Sequence, residues 1–249
     1  MPLNNKLPKV SIVIVVRNAA DKIEQAIKSV LVQDYSNFEI IILDGASTDG
    51  TIEIIQKYRA DIAFFSTEKD NGIYDAMNKA IDKCSGDWIY FLGADDELYD
   101  PGVLSAIFKE QQNKEEVIFG NAYYLNRKTI RFGNMGRYSL SKHNFNHQTI
   151  FYPLSVFKKY RYETKYRIWA DYFLNIQLYF KSSYTFKYLN VIVSRFNDMG
   201  TSGIHTIDLA FEEDRAKIIE EIFPWDVYIF FHLRKAFLWL QKLFRKKSK

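Results

Sequence analysis

From Val10 to about Leu92 the chain repeats one unit: a short apolar run, a polar break, then a segment whose apolar residues recur at helical spacing. Apolar runs this short are strands, and a run without polar alternation is a strand covered on both faces. Strands separated by helix-length segments join as βαβ units, so this part of the chain is committed to an α/β fold: a mixed, mainly parallel sheet with helices on both faces. The strand candidates are Ser11 to Val16, Glu39 to Leu43, Ala63 to Ser66 and Trp88 to Leu92. Between them, Ile23, Ala26, Ile27, Val30 and Leu31 share one helical face, as do Ile73, Ala76, Met77, Ala80 and Ile81; both faces are expected to pack on the sheet.

Past Asp100 the pattern loosens. Val117 to Tyr124 reads as a further strand, a polar stretch with Gly133 and Gly136 follows, and the next substantial segment runs from Tyr162 to Tyr179. A helical face of Ile218, Ile219, Ile222 and Phe223 stops at Pro224, which lacks an N–H and clashes with a preceding turn. With 249 residues, 47% of them hydrophobic, the chain suits one full core, so the expected organisation is one α/β domain over 1–223 and an appended segment over 224–249.

That segment is dense in Trp, Tyr, Phe and Leu from Trp225 to Phe244, broken by Arg234, Lys235 and Lys242, and basic to Lys249 with no acid after Asp226. It is too interrupted to span a bilayer and reads as an amphipathic helix lying in a membrane interface, its cations near anionic lipid. Packing on the domain or against a second copy are the other readings. Nucleic-acid binding asks for a broad basic face, whereas here the cationic excess is confined to one aromatic-rich end. The single cysteine, Cys84, excludes an intrachain disulfide, and the apolar run at Val10 to Val16 is too short for a signal-peptide core. Together these favour the cytoplasm.

In an open α/β sheet, ligands sit beyond the carboxyl ends of the strands. Those ends read Arg17-Asn18, then Asp44-Gly45-Ala46-Ser47-Thr48-Asp49-Gly50, then Glu68-Lys69-Asp70-Asn71-Gly72, then Gly93-Ala94-Asp95-Asp96-Glu97. Neither GxxxxGK[ST] nor GxGxxG follows the first strand, which argues against P-loop enzymes and dehydrogenases. Clustered carboxylates repel a diphosphate unless a hard cation lies between, and magnesium or manganese takes one or two carboxylates plus phosphate oxygens. Asp95-Asp96 is the most informative pair: one carboxylate for a metal and its neighbour for a ribose hydroxyl, against the plainer reading of a solvated turn or a cap for the helix after Pro101. Asp44 either shapes a turn or, with Ser47, Thr48 and Asp49 capping the helix that contains Ile54 and Ile55, stays free to accept from a base or ribose. His143 and His147 stand four apart without HExxH, so zinc is not indicated.

Four segments, VSIVIVVRN, LDGASTDGT, EKDNGIYDAMNKA and GDWIYFLGADD, occur in an order and spacing that resembles family 2 of the inverting glycosyltransferases, including those of bacterial surface-polysaccharide synthesis. Weaker agreement continues through HNFNHQTIF, IWADYF and MGTSG. The resemblance implies a GT-A fold, with a donor half at about 1–100, an acceptor half at about 101–205 and a closing helix at about 206–223. It also implies a reaction: Mn2+ or Mg2+ assists transfer of a hexosyl or N-acetylhexosaminyl group from a nucleotide diphosphate sugar, expected to be a UDP-sugar. The receiving group is a hydroxyl of a glycan or lipid-linked acceptor, and the enzyme is expected at the inner face of the plasma membrane.

By position, the resemblance puts Arg17, Asn18, Asp44 and Asp70 around the base and ribose. Asp96 becomes the metal ligand and Asp95 the ribose or phosphate contact; Ala94 stands where a strict D-x-D would put its first acid, and Asp95 with Glu97 is the alternative pair. Asp171 is the general base, Trp169 and Tyr172 desolvate it and stack on a sugar, and His147 and Gln148 lie near the metal and acceptor. Ser202 or Thr201, in the loop from Asp198 to Gly203, reaches a phosphate, the other reading of that loop being a plain linker. The rival readings are a nucleotide-sugar-binding protein without catalysis, which Asp171 argues against, and a nucleotidyltransferase, which wants a Gly-rich basic loop after the first strand.

Overall fold

The computed structural model of the chain describes residues 7–109, 113–134, 136–200 and 207–247. Strand β1 (Val10–Val16) lies between β2 (Phe38–Asp44) and β4 (Trp88–Gly93), with β3 (Phe64–Thr67) beyond β2, all parallel. Helices α1 (Ile23–Leu31), α2 (Thr51–Lys57) and α3 (Ile73–Ile81) make the connections. Alternate residues of β1 enter different cores: Val10, Ile12, Ile14 and Val16 meet Ile23, Ile27 and Val30 of α1, while Val13 shares a core with Met77 and Ala80 of α3. This double covering is why the strand reads as one apolar run, and each fully buried side chain contributes about 1.5–3 kcal/mol.

The expected face of α1 is buried except for Leu31, which is half-buried. Of the expected α3 face, Ala76, Met77, Ala80 and Ile81 are buried and Ile73 is not. Tyr74 takes the inward place, because its hydroxyl donates to the Asp171 carboxylate at 3.0 Å inside the molecule.

The second half joins the same sheet antiparallel. β8 (Ile150–Pro153) pairs with β4 on one side and β6 (Glu116–Tyr124) on the other; β6 runs parallel to β9 (Thr185–Phe196), which pairs with β5 (Glu97–Leu98). The order is β3-β2-β1-β4-β8-β6-β9-β5, and β7 (Thr129–Arg131) folds back on β6 as a hairpin. The first and second halves of the chain thus share one continuous mixed sheet. Residues of α4 (Val103–Phe108) pack in the core that holds α1, and those of α6 (Ala170–Lys181) and α7 (Leu209–Ile222) pack in the core that holds α3.

Pro224 separates α7 from α8 (Trp225–Lys247). The first turns of α8 are docked: Val227 is buried, and the Asp226 carboxylate accepts from Arg137 Nη2 at 2.8 Å and from the Tyr138 hydroxyl at 2.9 Å, both on α5 (Arg137–Leu140). The Phe230 ring lies 5.0 Å from that of Tyr138. On another face Trp225, Ile229, Leu233 and Phe237, each four residues apart, are exposed at 77, 45, 67 and 58%. Among the described residues no helix is long and apolar enough to cross a membrane.

Candidate active site

A cleft of about 710 Å³ opens at the carboxyl ends of β1 and β4, and Arg17, Asn18, Asp95 and Asp96 line it. Asp96 is buried; its Oδ1 accepts from Asn197 N at 2.6 Å, while Asn197 Nδ2 donates to Asp95 Oδ2 at 2.8 Å. One asparagine, directly after β9, therefore clamps both acids. Burial, and then the charge of Asp95, pushes the Asp96 carboxyl well above the ordinary carboxylate range, and a cation at the pair would reverse that shift. Glu97 does not line this cleft but an adjoining small pocket that Asp95 and Asp96 also line, so the pair presented to the cleft is Asp95-Asp96. Among the described residues no three His, Cys, Asp or Glu side chains gather as an ion cage. Magnesium or manganese asks for less, since one or two carboxylates and the phosphates of a substrate suffice, and two adjacent carboxylates straining against each other fit such an ion.

Asp44 does two jobs with separate oxygens. Its Oδ2 accepts from Ser47 N at 2.9 Å and from the Thr67 hydroxyl at 2.7 Å, shaping the turn after β2; Oδ1 is buried without a hydrogen-bond partner among the described residues. A buried polar atom left open costs about 1–3 kcal/mol, so Oδ1 is a ready acceptor. Asp49 supports the start of α2, taking Thr51 N at 3.1 Å, and also holds Ala20 N at 3.0 Å. Ser47 and Thr48 do not cap that helix; they bind Asn18 through its N–H (2.8 Å to Ser47 Oγ) and its Oδ1 (2.9 Å to Thr48 N). Asn18 sits at φ 51°, and this brace sets Arg17 at the cleft. A Cβ at Gly45 would lie 2.5 Å from Asp70 Oδ2 and 3.3 Å from the Arg17 side chain, so the Asp70 carboxylate would have to move aside. Arg17 and Asp70 thus approach each other across Gly45, next to Asp44, although Asp44 and Asp70 do not line the main cleft.

Asp171 lies in the first turn of α6 and also lines the cleft; it is buried, where a helix-surface carboxylate would be exposed. It accepts from the Tyr74 hydroxyl (3.0 Å), Tyr172 N (2.8 Å) and Asn144 Nδ2 (2.7 Å), and His147 Nδ1 is 3.8 Å from its Oδ2. Burial raises its pKa, opposed by His147, Tyr74, Tyr172 and Asn144. Trp169, immediately before α6, lines the cleft and meets Tyr172 and Phe211 edge-on at 6.2 and 5.2 Å. Asp208 fixes this corner: its Oδ2 accepts from Ile168 N and Trp169 N, and its Oδ1 from Phe211 N at the start of α7.

Between the two acidic groups runs a three-residue 3-10 turn, His147–Thr149, whose preceding Asn146 accepts from Gln148 N at 2.9 Å. Gln148 Oε1 accepts from Gly93 N at 2.9 Å, and its carbonyl from the Tyr90 hydroxyl at 3.0 Å. Adjacent residues thus contact the β4 floor and the Asp171 carboxylate. His143 is exposed at the cleft, and no helix joins it to His147. Thr201 and Ser202 lie outside the described residues. The sequence reading did not single out Tyr74, Asn144 or Asn197. The first two fall within EKDNGIYDAMNKA and HNFNHQTIF, which was the only signal for them.

A family model described as Glycosyl transferase family 2 matches residues 11–185. The chain belongs to glycosyltransferase family 2. This family 2 enzyme is 30% identical over 214 residues to a PGL/p-HBAD biosynthesis glycosyltransferase of Mycobacterium bovis, covering 82% of each chain. Over 119 residues, 46% of this chain and 38% of the relative, it is 33% identical to the GalNAc(5)-diNAcBac-PP-undecaprenol beta-1,3-glucosyltransferase of Campylobacter jejuni. Two solved structures share its fold. S. aureus TarS residues 1–349 with UDP-GlcNAc matches at TM-score 0.67 and 16% identity, over 86% of this chain and 65% of that one. The mannosyltransferase PcManGT of Pyrobaculum calidifontis, in complex with GDP-Man and Mn2+, matches at TM-score 0.65 and 16% identity, over 87% and 64%. The chain spans 39% of the longer TarS structure. The fold of this family 2 glycosyltransferase is therefore GT-A, as its sequence led us to expect.

Proposed function

We propose that this glycosyltransferase inverts configuration as it moves a sugar from a metal-bound nucleotide diphosphate, a UDP-sugar, to an acceptor hydroxyl in glycoconjugate or surface-polysaccharide synthesis. The observation that carries the reading is the pairing, across one cleft, of the clamped Asp95-Asp96 acids with the buried Asp171. Arg17, Asn18, Asp44 and Asp70 hold the base and ribose, and the open Oδ1 of Asp44 accepts from a base N–H. Asp96, with Asp95 beside it, would hold Mn2+ or Mg2+, which when bound supplies positive charge against the leaving diphosphate. Asp171 Oδ2 takes the proton of the attacking hydroxyl, and its raised pKa brings its basicity nearer to that of the task. Asn144 and Tyr74 hold the carboxylate in place, His147 stabilises its charge, and Trp169 excludes water and offers a ring to the acceptor sugar. Ser202 contributes a hydroxyl to the phosphates.

The proposal also places the enzyme at the cytoplasmic face of the plasma membrane, with α8 in the interface. The support is the row of Trp225, Ile229, Leu233 and Phe237 together with exposed Arg234 and Lys235 on the same helix. The test is a panel of nucleotide sugars screened for thermal protection and metal-dependent turnover, with Asp96→Ala and Asp171→Ala alongside. One donor should protect, Asp96→Ala should lose that protection, and Asp171→Ala should bind without turnover. If no donor protects with either metal, the donor site is wrongly assigned. Sedimentation with phosphatidylglycerol vesicles, against neutral phosphatidylcholine, tests the membrane reading; equal recovery on both would refute its electrostatic part.

A further inference from the structure

Acids and cations both line the active-site cleft, with Arg17 and Lys22 as well as Asp171 and Asp198 among them. Asp95 and Asp96 line its donor end, whereas Arg131 from the end of β7 and Lys142 and His143 from the segment after α5 line it elsewhere. A third element adds to this second group. Lys142 Nζ stands 5.6 Å from the centroid of Phe230 on α8, and the same helix carries exposed Arg234 one turn further on.

The charges of Lys142, Arg131 and Arg234 all act on the His143 ring. Together with partial desolvation, the largest cause, they hold its pKa below the ordinary range, and no carboxylate acts in the other direction. Other cations near this end are neutralised: Arg127 by Asp198, Arg137 by Asp226 and Arg215 by Glu212. Among the described residues Arg131, Lys142 and Arg234 have no carboxylate within ion-pair distance; Arg131 and Lys142 rest against aromatic rings. Three segments, β7, the stretch after α5 and α8, therefore turn uncompensated cations toward one imidazole, and Arg131 and Lys142 line the cleft itself. A concave surface lined by one sign of charge concentrates counter-ions, and guanidinium groups match phosphate oxygens in particular.

The geometry points to an anion subsite at the acceptor end, formed by Arg131, Lys142, His143 and Arg234, that takes a phosphate or diphosphate carried by the acceptor. The inference rests on the transferase reading, which assigns the donor diphosphate to the acidic end and leaves this site to the second substrate. The apolar row of α8 lies on the helix that supplies Arg234, so a lipid-linked phosphate can engage both, while the phosphodiester of a polymer would use the cations alone.

The test uses the full chain saturated with UDP and magnesium, titrated calorimetrically with inorganic phosphate, farnesyl diphosphate in neutral micelles, and a glycerol-phosphate oligomer. Arg131→Ser, Lys142→Ser, Arg234→Ser and Asp96→Asn are compared with the unmodified protein. Each serine variant should weaken anion binding by about threefold to fivefold at low ionic strength, the range of an exposed ion pair, with UDP affinity unchanged. Asp96→Asn should do the reverse. Preference for farnesyl diphosphate identifies a lipid source, and preference for the oligomer a polymer; both support the subsite. Absence of anion binding, or binding that all three serine variants retain, overturns it. Failure of the unmodified protein to bind UDP counts against the donor assignment alone, because the serine variants still report on the anion site.

Discussion

Asp171→Asn is the sharpest perturbation of the proposed mechanism, because the hydrogen bonds leading to Asp171 all run one way. The Tyr152 hydroxyl donates to Asn175 Oδ1 (2.8 Å), Asn175 Nδ2 to Asn144 Oδ1 (3.0 Å), and Asn144 Nδ2 to Asp171 Oδ2 (2.7 Å). A carboxylate accepts everything offered to it. An amide at this position offers its own NH2 and meets a donor from either Asn144 or Tyr172, unless the whole chain of amides reverses. A mispaired buried donor costs about 1–3 kcal/mol. Removing a buried charge works in the opposite direction and keeps the net loss below about 2 kcal/mol, or roughly 4–8 °C in Tm for a chain of this size. Because burial raises the folded-state pKa of Asp171, the stability linked to its protonation is complete below the unfolded pKa and is lost as pH rises through the folded one. The variant should therefore gain on the unmodified protein as pH rises through that window. Turnover should fall by about 10²–10⁴-fold, the contribution of a positioned general base, far beyond the effect of that loss of stability. Calorimetry gives the Tm difference at several pH values, and UDP release with a fixed donor gives kcat, with UDP affinity as the control. Turnover within about tenfold of the unmodified enzyme at equal UDP affinity would exclude Asp171 as the base.

The same raised pKa predicts that kcat of the unmodified enzyme falls on the acid side at a pH above the value of an ordinary aspartate; a limb at or below that value would contradict it. His147→Ala removes a charge that lowers the Asp171 pKa, so the acid limb should move to higher pH in a pH–rate profile, and an unmoved limb would leave His147 without that role. Gly93→Ala puts a methyl into the Asp96 Oδ2 and 3.0 Å from Gln148 Nε2. It should destabilise by about 1–3 kcal/mol in denaturant unfolding and abolish turnover, whereas near-normal stability would mean the floor is looser than described. Asp44→Ala should weaken UDP binding by about tenfold or more, as loss of a hydrogen bond to a charged acceptor does, and unchanged affinity by calorimetry would reassign Asp44 to the turn alone.

Much of the first half was legible because β1, β2 and β4 are covered on both faces and their apolar runs have no other use. Tyr74 was left out of the α3 face because an amphipathic ring gives an ambiguous hydropathy signal, and the carboxylate that draws it inward is 97 positions away. β8 is four residues long and ends in Pro153; its pairing with β4 and β6 rests on contacts that no local pattern encodes. β9 alternates poorly because it pairs with two strands and its register with β6 shifts near Asn121. In the site, Asp44, Asp95 and Asp96 could be found from their places after strands, and Asp171, on a helix, through the family resemblance alone. Asn197 and Asn144 could not, since an amide that orients a carboxylate has no characteristic spacing and is defined only by what the fold brings to it.

The turn at His147–Thr149 has a consequence for how such enzymes diversify. One short peptide, braced by its own Asn146, spans from the strand floor at Gly93 to the carboxylate at Asp171, so the separation between that floor and the proposed base is set locally. The β6–β7 hairpin and α8 supply Arg131 and Arg234 from outside that brace. Descendants of one ancestor can therefore exchange these outer parts, and with them the molecule being glycosylated, while the reaction coordinate is inherited intact. Chimeras that graft the hairpin and terminal helix of one relative onto the sheet of another should trade acceptors more readily than they lose chemistry.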